Sequence, residues 1–107
     1  MQRIDLTAAP DQRMSVVLDG RRVTLRFWFN VSDQLWYFDM ALDDQPVMYG
    51  RRIVTGRNLL SRVGLGGRLF AYVYAGGDGQ PGLEDFASGA AALFYVPEAE
   101  LKTALAA

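Results

Sequence analysis

Between Met14 and Leu42 apolar and polar residues alternate with a period of two, the spacing expected of strands that bury one face. Asp19-Gly20 interrupts the alternation between two β-rich runs. Such a pair supplies positive φ at both central positions of a type I′ turn, and it predicts a two-residue hairpin. The turn sets Val16 opposite Val23, Met14 opposite Leu25, Ser15 opposite Thr24 and Arg13 opposite Arg26. With Val31-Ser32-Asp33-Gln34 as a four-residue loop, the next hairpin sets Phe29 opposite Trp36, Phe27 opposite Phe38, Leu25 opposite Met40 and Val23 opposite Leu42. One face of this three-stranded meander is then wholly apolar. The other carries Arg22 opposite Asp43, Thr24 opposite Ala41, Arg26 opposite Asp39 and Trp28 opposite Tyr37. A one-residue slip would place Asp39 among phenylalanines, so the pattern selects this register.

Later segments carry weaker signals. Asp43-Asp44-Gln45-Pro46 predicts a turn, and Val47–Val54 one or two short strands broken at Gly50. Thr55-Gly56-Arg57-Asn58 predicts another turn, and Gly64-Leu65-Gly66-Gly67 a bend before a strand over Arg68–Tyr74. A Gly-rich loop over Ala75–Gly82 precedes a last strand over Ala90–Val96. Pro97-Glu98-Ala99-Glu100 then reads as a helix start, because proline and acidic side chains suit the unpaired N–H groups of a first turn. The expected fold is all-β: a single small antiparallel β-barrel or β-sandwich over residues 1–107, with a short C-terminal helix.

Composition narrows the chemistry. Half of the 107 residues are hydrophobic and 12% are aromatic, enough for a core without cross-links. The chain has no histidine and no cysteine, which removes Ser-His-Asp and Cys-His nucleophiles, imidazole bases, Cys/His zinc sites and disulfides. A formal net charge of −1 disfavours a dedicated binder of duplex DNA. The first ten residues contain no apolar signal-peptide core and no run is long enough to span a bilayer, so a soluble protein made in a cytoplasm is expected. Of the 11 basic residues only Lys102 is a lysine. Coding bias accounts for that, and so does a surface that uses the planar, stacking guanidinium.

Each candidate site also has a plain structural reading. Gly77-Asp78-Gly79-Gln80-Pro81-Gly82 spells a dinucleotide-binding pattern, yet Pro81 sits inside it and no amphipathic helix follows. Asp78, Glu84 and Asp85 match no calcium loop spacing. Asp39 with Asp43 or Asp44 resembles a glycosidase carboxylate pair, but each of Asp39 and Asp43 faces an arginine that keeps it ionised. No catalytic, metal-binding or cofactor-binding residue is assigned, and no enzymatic activity is expected. The residues singled out are Arg13, Arg22, Arg26, Trp28 and Tyr37, an Arg/aromatic set on the polar sheet face. Three readings stand: a second buried face, a protein–protein interface rich in hot-spot residue types, or a stacking platform for single-stranded nucleic acid.

The ordered elements resemble the baseplate plug proteins of contractile-tailed bacteriophages, a family known from a cyanophage baseplate. The resemblance runs through Ile4-Asp5-Leu6-Thr7 with Pro10 and Gln12, Val17-Leu18-Asp19-Gly20, Val23–Leu25, Asn30 and Trp36-Tyr37-Phe38-Asp39. It continues through Gly50, Gly56, Asn58-Leu59-Leu60, Gly67-Arg68-Leu69, Ser88-Gly89 and Leu93-Phe94-Tyr95. It implies a structural part of the virion tail baseplate, made in the bacterial host cytoplasm. Such a part would plug or pack the central region through contacts with hub, tail tube and spike proteins and with copies of itself. No cofactor and no membrane partner is implied. The alternative is a small β-barrel that binds single-stranded nucleic acid through the Arg/aromatic face.

Overall fold

The computed structural model describes residues 1–60, 65–74 and 80–106. Its strands are β1 (Gln2–Ile4), β2 (Asp11–Leu18), β3 (Arg21–Asn30), β4 (Leu35–Leu42), β5 (Gln45–Arg52), β6 (Arg68–Val73) and β7 (Ala91–Val96). Helix α1 (Asp85–Ser88) precedes β7, and α2 (Glu98–Ala106) follows it. They form two antiparallel sheets, ordered β2-β3-β4-β5 and β1-β7-β6. The two sheets do not close into a barrel, and their apolar faces share one core, which makes the fold a sandwich.

The meander has the register its alternation demands. Every cross-strand pair predicted between β2 and β3 and between Val23–Phe29 and Trp36–Leu42 is present. Asp19 (φ 52°) and Gly20 (φ 74°) both adopt the left-handed conformation of a type I′ turn. Val23, Leu25, Phe27, Phe38 and Met40 are buried against Leu69, Leu93 and Tyr95 of the smaller sheet. Phe29, Trp36 and Phe86 of α1 form an edge-to-face chain at one end of this core, with centroids 5.5 and 6.0 Å apart.

Several expectations change. The turn after β4 contains only Asp43 (φ 48°) and Asp44 (φ 68°), so Gln45 and Pro46 already belong to β5. Arg22 does stand opposite Asp43, whose N–H donates to the Arg22 carbonyl at 2.9 Å, but the side-chain ion pairs are Arg21 with Asp43 at 2.8 Å and Arg22 with Asp44. The segment around Gly50 is one strand, with two register shifts against β4 and Gly50 at φ 60°. Strand β1 and helix α1 were not foreseen. Three residues of β1 show too little alternation to read, and their partner β7 lies far along the chain. Of the Gly-rich loop, residues 75–79 lie outside the described part, as does Gly64 of the predicted bend.

Polar side chains that carry the family resemblance hold the connections. The Gln12 amide accepts from the Thr7 N–H (2.9 Å) and donates to the Thr7 and Ala9 carbonyls (3.0 Å each), which fixes the link between β1 and β2. The Asn58 carbonyl oxygen accepts from the Leu60 and Leu69 N–H groups at 3.1 Å each, tying the segment after β5 to the edge of β6. Thr55 forms a parallel bridge with Ala71 beside it. Among the described residues no helix is long and apolar enough to cross a membrane.

Candidate protein-interaction face

Alternation sends the odd residues of β2, the even residues of β3 and the odd residues of β4 to the outer face of the larger sheet. At its centre Trp28 and Tyr37, direct cross-strand partners, stack with centroids 5.8 Å apart and planes 18° apart. The Arg26 guanidinium carbon lies 5.1 Å from the Trp28 ring centroid, a cation–π arrangement. Its nitrogens fork onto the Asp11 carboxylate, Nε to Oδ1 at 3.1 Å and Nη2 to Oδ2 at 2.7 Å. The Asp39 carboxylate stands farther off, at 3.8 Å, and accepts the Gly50 N–H at 2.8 Å. Asp11, not Asp39, is therefore the main partner of Arg26.

The electrostatics follow from these contacts. The hydrogen bond from Arg26 holds the Asp11 carboxyl below its ordinary pKa, and the same bond raises Arg26 further. Tyr37 donates its hydroxyl proton to Asp33; that bond, with some burial, raises the Tyr37 pKa. The face thus presents fixed charges and one rigid aromatic stack. Beside the stack, Arg13, Thr24, Arg26, Asp39, Ala41, Pro46 and Tyr49 line a shallow groove of about 180 Å³ floored by Met40.

Four of the five singled-out residues come together: Arg13 faces Arg26, and Trp28 and Tyr37 adjoin them. Arg22 does not. It lies four residues from Arg26, about 13 Å along the strand, and is held by Asp44. The face is open: Arg13 is exposed, Trp28 and Tyr37 are half-buried, and Tyr49 is 73% exposed. Among the described residues it is not a second buried face. Asp11, Tyr49 and Arg52 join the set unforeseen. Asp11 was within reach, since continuing the first hairpin two pairs past Arg13 places it opposite Trp28. Tyr49 and Arg52 were not, because the irregular register of β5 positions them.

The nucleotide pattern finds no support where it is described. Its first three residues lie outside the described part, and the Gly82 N–H donates to the Asp85 carboxylate at 2.6 Å. Asp43 is held below its ordinary pKa first by the hydrogen bond from Arg21, the opposite of what a general acid needs.

Fold and face together define a small β-sandwich that exposes an Arg/aromatic surface. The family model described as the cyanophage baseplate Pam3 plug gp18 matches residues 1–98, nearly the whole chain. The chain belongs to this cyanophage baseplate plug family, one of structural bacteriophage tail proteins. No curated protein matches it.

Proposed function

We propose that the chain packs into the centre of a tail baseplate through the outer face of its larger sheet, helping to plug the channel there. Family membership supports the baseplate role. The observation that carries the choice of face is the solvent-facing Trp28–Tyr37 stack with Arg26 beside it. Trp and Tyr bury large, rigid surface at low entropic cost, and Arg adds a planar fork of hydrogen-bond donors. With Tyr37 bonded to Asp33 and Arg26 to Asp11, these side chains lose little freedom on docking. The partners on this reading are hub, tail tube or spike proteins and further copies of the chain, and the role requires no catalytic group.

Co-expression with hub, tail tube and spike proteins of the same phage, followed by size exclusion, tests the proposal. Complexes that form with the wild type and weaken by about a hundredfold with the double variant W28A/Y37A are expected, since two central aromatic anchors are removed. A strictly monomeric protein, or complexes indifferent to that variant, would count against it.

A further inference from the structure

A second surface lies at the free edge of β5. Arg51 and Arg52 end that strand, Arg57 follows in the next turn, and all three are exposed. Together with Val54, Asn58 and Leu59 they line one cleft of about 240 Å³. Four arginines elsewhere have a carboxylate, Arg3 with Asp5, Arg21 with Asp43, Arg22 with Asp44 and Arg26 with Asp11, while Arg13 and Arg68, without one among the described residues, lie on different sheets and not around this concavity. Among the described residues none of the three cleft arginines has an ion-pair partner. Three like charges around one concavity repel one another, and an incoming anion relieves that repulsion. Guanidinium groups present planar forks that fit carboxylates in a bidentate manner.

We propose that this cleft binds the carboxylates of an acidic segment of a partner protein. The surroundings favour protein over nucleic acid. Arg52 is the cross-strand partner of Tyr37, so a phosphate backbone running from the cleft onto the aromatic stack would meet Asp11, Asp33 and Asp39. A short run of Asp and Glu occupies the cleft without crossing them. A second copy is a poorer source of such a run, because Asp5, Asp11, Asp43 and Asp44 are engaged by arginines, Asp19 and Asp33 by tyrosine hydroxyls and Glu100 by the N-terminus, and the exposed Glu84 beside Asp85 is a short acidic pair and not a run. The inference rests on the charges alone and stands apart from the baseplate role.

The test uses a fluorescein-labelled decaglutamate peptide and the full chain, read by fluorescence anisotropy. Saturable binding is expected at about 50 mM salt, weakening about tenfold by about 200 mM as the charges are screened. R57E and R52E should each weaken it about tenfold or more, whereas R3E, an equal charge change on the other sheet, should leave it within about twofold. Circular dichroism melts confirm folding of each variant, and R57E, in an exposed turn, serves if R52E melts early. Absence of saturable binding overturns the proposal, as does an equal loss with R3E. Tighter, R57E-sensitive binding of an oligothymidylate of matched length would assign the cleft to nucleic acid, and self-association abolished by R57E would assign it to a second copy.

Discussion

The Tyr95 hydroxyl donates to the carboxylate of Asp19, joining the last strand of the smaller sheet to the first hairpin turn of the larger one. The same carboxylate accepts the Glu98 N–H at 3.2 Å, so it also anchors the start of α2. A residue placed at a type I′ turn for its backbone conformation thus supplies the polar clasp between the two layers. Burial first, and then the Asp19 carboxylate, push the Tyr95 hydroxyl well above the ordinary tyrosine range.

Tyr95→Phe should therefore lower stability by about 1–2 kcal/mol in urea unfolding at neutral pH, the usual scale for a hydrogen bond to a charged group that is only partly sheltered. The sign with pH follows from the raised value. The neutral hydroxyl is the form the fold favours, so its contribution is whole below the unfolded tyrosine pKa of about 10 and is lost as pH rises beyond it. Stability curves of wild type and Y95F should converge at high pH. Parallel curves up to the alkaline limit would refute the clasp.

Gly67 sits where this clasp meets β6. A Cβ added there would lie 2.3 Å from the Tyr95 hydroxyl oxygen and 2.4 Å from the Val96 carbonyl oxygen. The Tyr95 ring is buried and the Val96 oxygen is backbone, so neither moves aside freely. Gly67→Ala is expected to cost about 1–3 kcal/mol by overpacking. Because it displaces the Tyr95 hydroxyl, its effect should combine with Y95F less than additively in a double-mutant cycle.

Asp11 gives a prediction at the acid end. Its lowered pKa means that its contribution is present above the unfolded aspartate value of about 3.9 and lost as pH falls through the lowered one. Asp11→Asn should flatten the acid limb of the stability curve, with the Arg21–Asp43 pair accounting for part of what remains. Freed from its carboxylate, Arg26 should reorient over Trp28 and alter that residue's fluorescence. An unchanged acid limb and unchanged emission would show that the fork does not persist in solution.

Trp36 tests the other end of the core. It is 1% exposed, meets Phe29 and Phe86 edge to face, and donates its indole N–H to the Gly82 carbonyl at 2.9 Å. Trp36→Ala should cost about 3–5 kcal/mol through the cavity it leaves. Trp36→Phe should cost less but release Gly82, which hydrogen exchange around Gly82–Phe86 would register as lost protection.

Most of the larger sheet was legible because its information is local. Asp19-Gly20 sets one register and the four-residue loop before Leu35 the next, and a slip in either would bury charge, so alternation suffices from Arg13 to Leu42. The Trp28–Tyr37 pair came with that register. Arg22 shows where such reasoning fails: its strand position was right, but the tight turn at Asp43 and Asp44 handed it a different aspartate.

Chain pattern by itself determined the four central hairpin contacts of the core, the absence of histidine and cysteine chemistry, and an Arg/aromatic outer face. Tertiary structure alone decided the rest. Simple alternation from the Asp43-Asp44 turn would set Gly50 opposite Tyr37; the two register shifts in β5 bring Arg52 there instead and gather Arg51, Arg52 and Arg57 around one cleft. It likewise decided that β1 pairs with β7, that the sheets form a sandwich, and that Asp19 meets Tyr95. The physical reason is range. A turn and a period of two fix neighbours a few residues apart, whereas contacts between distant segments arise only when two apolar faces must share one core.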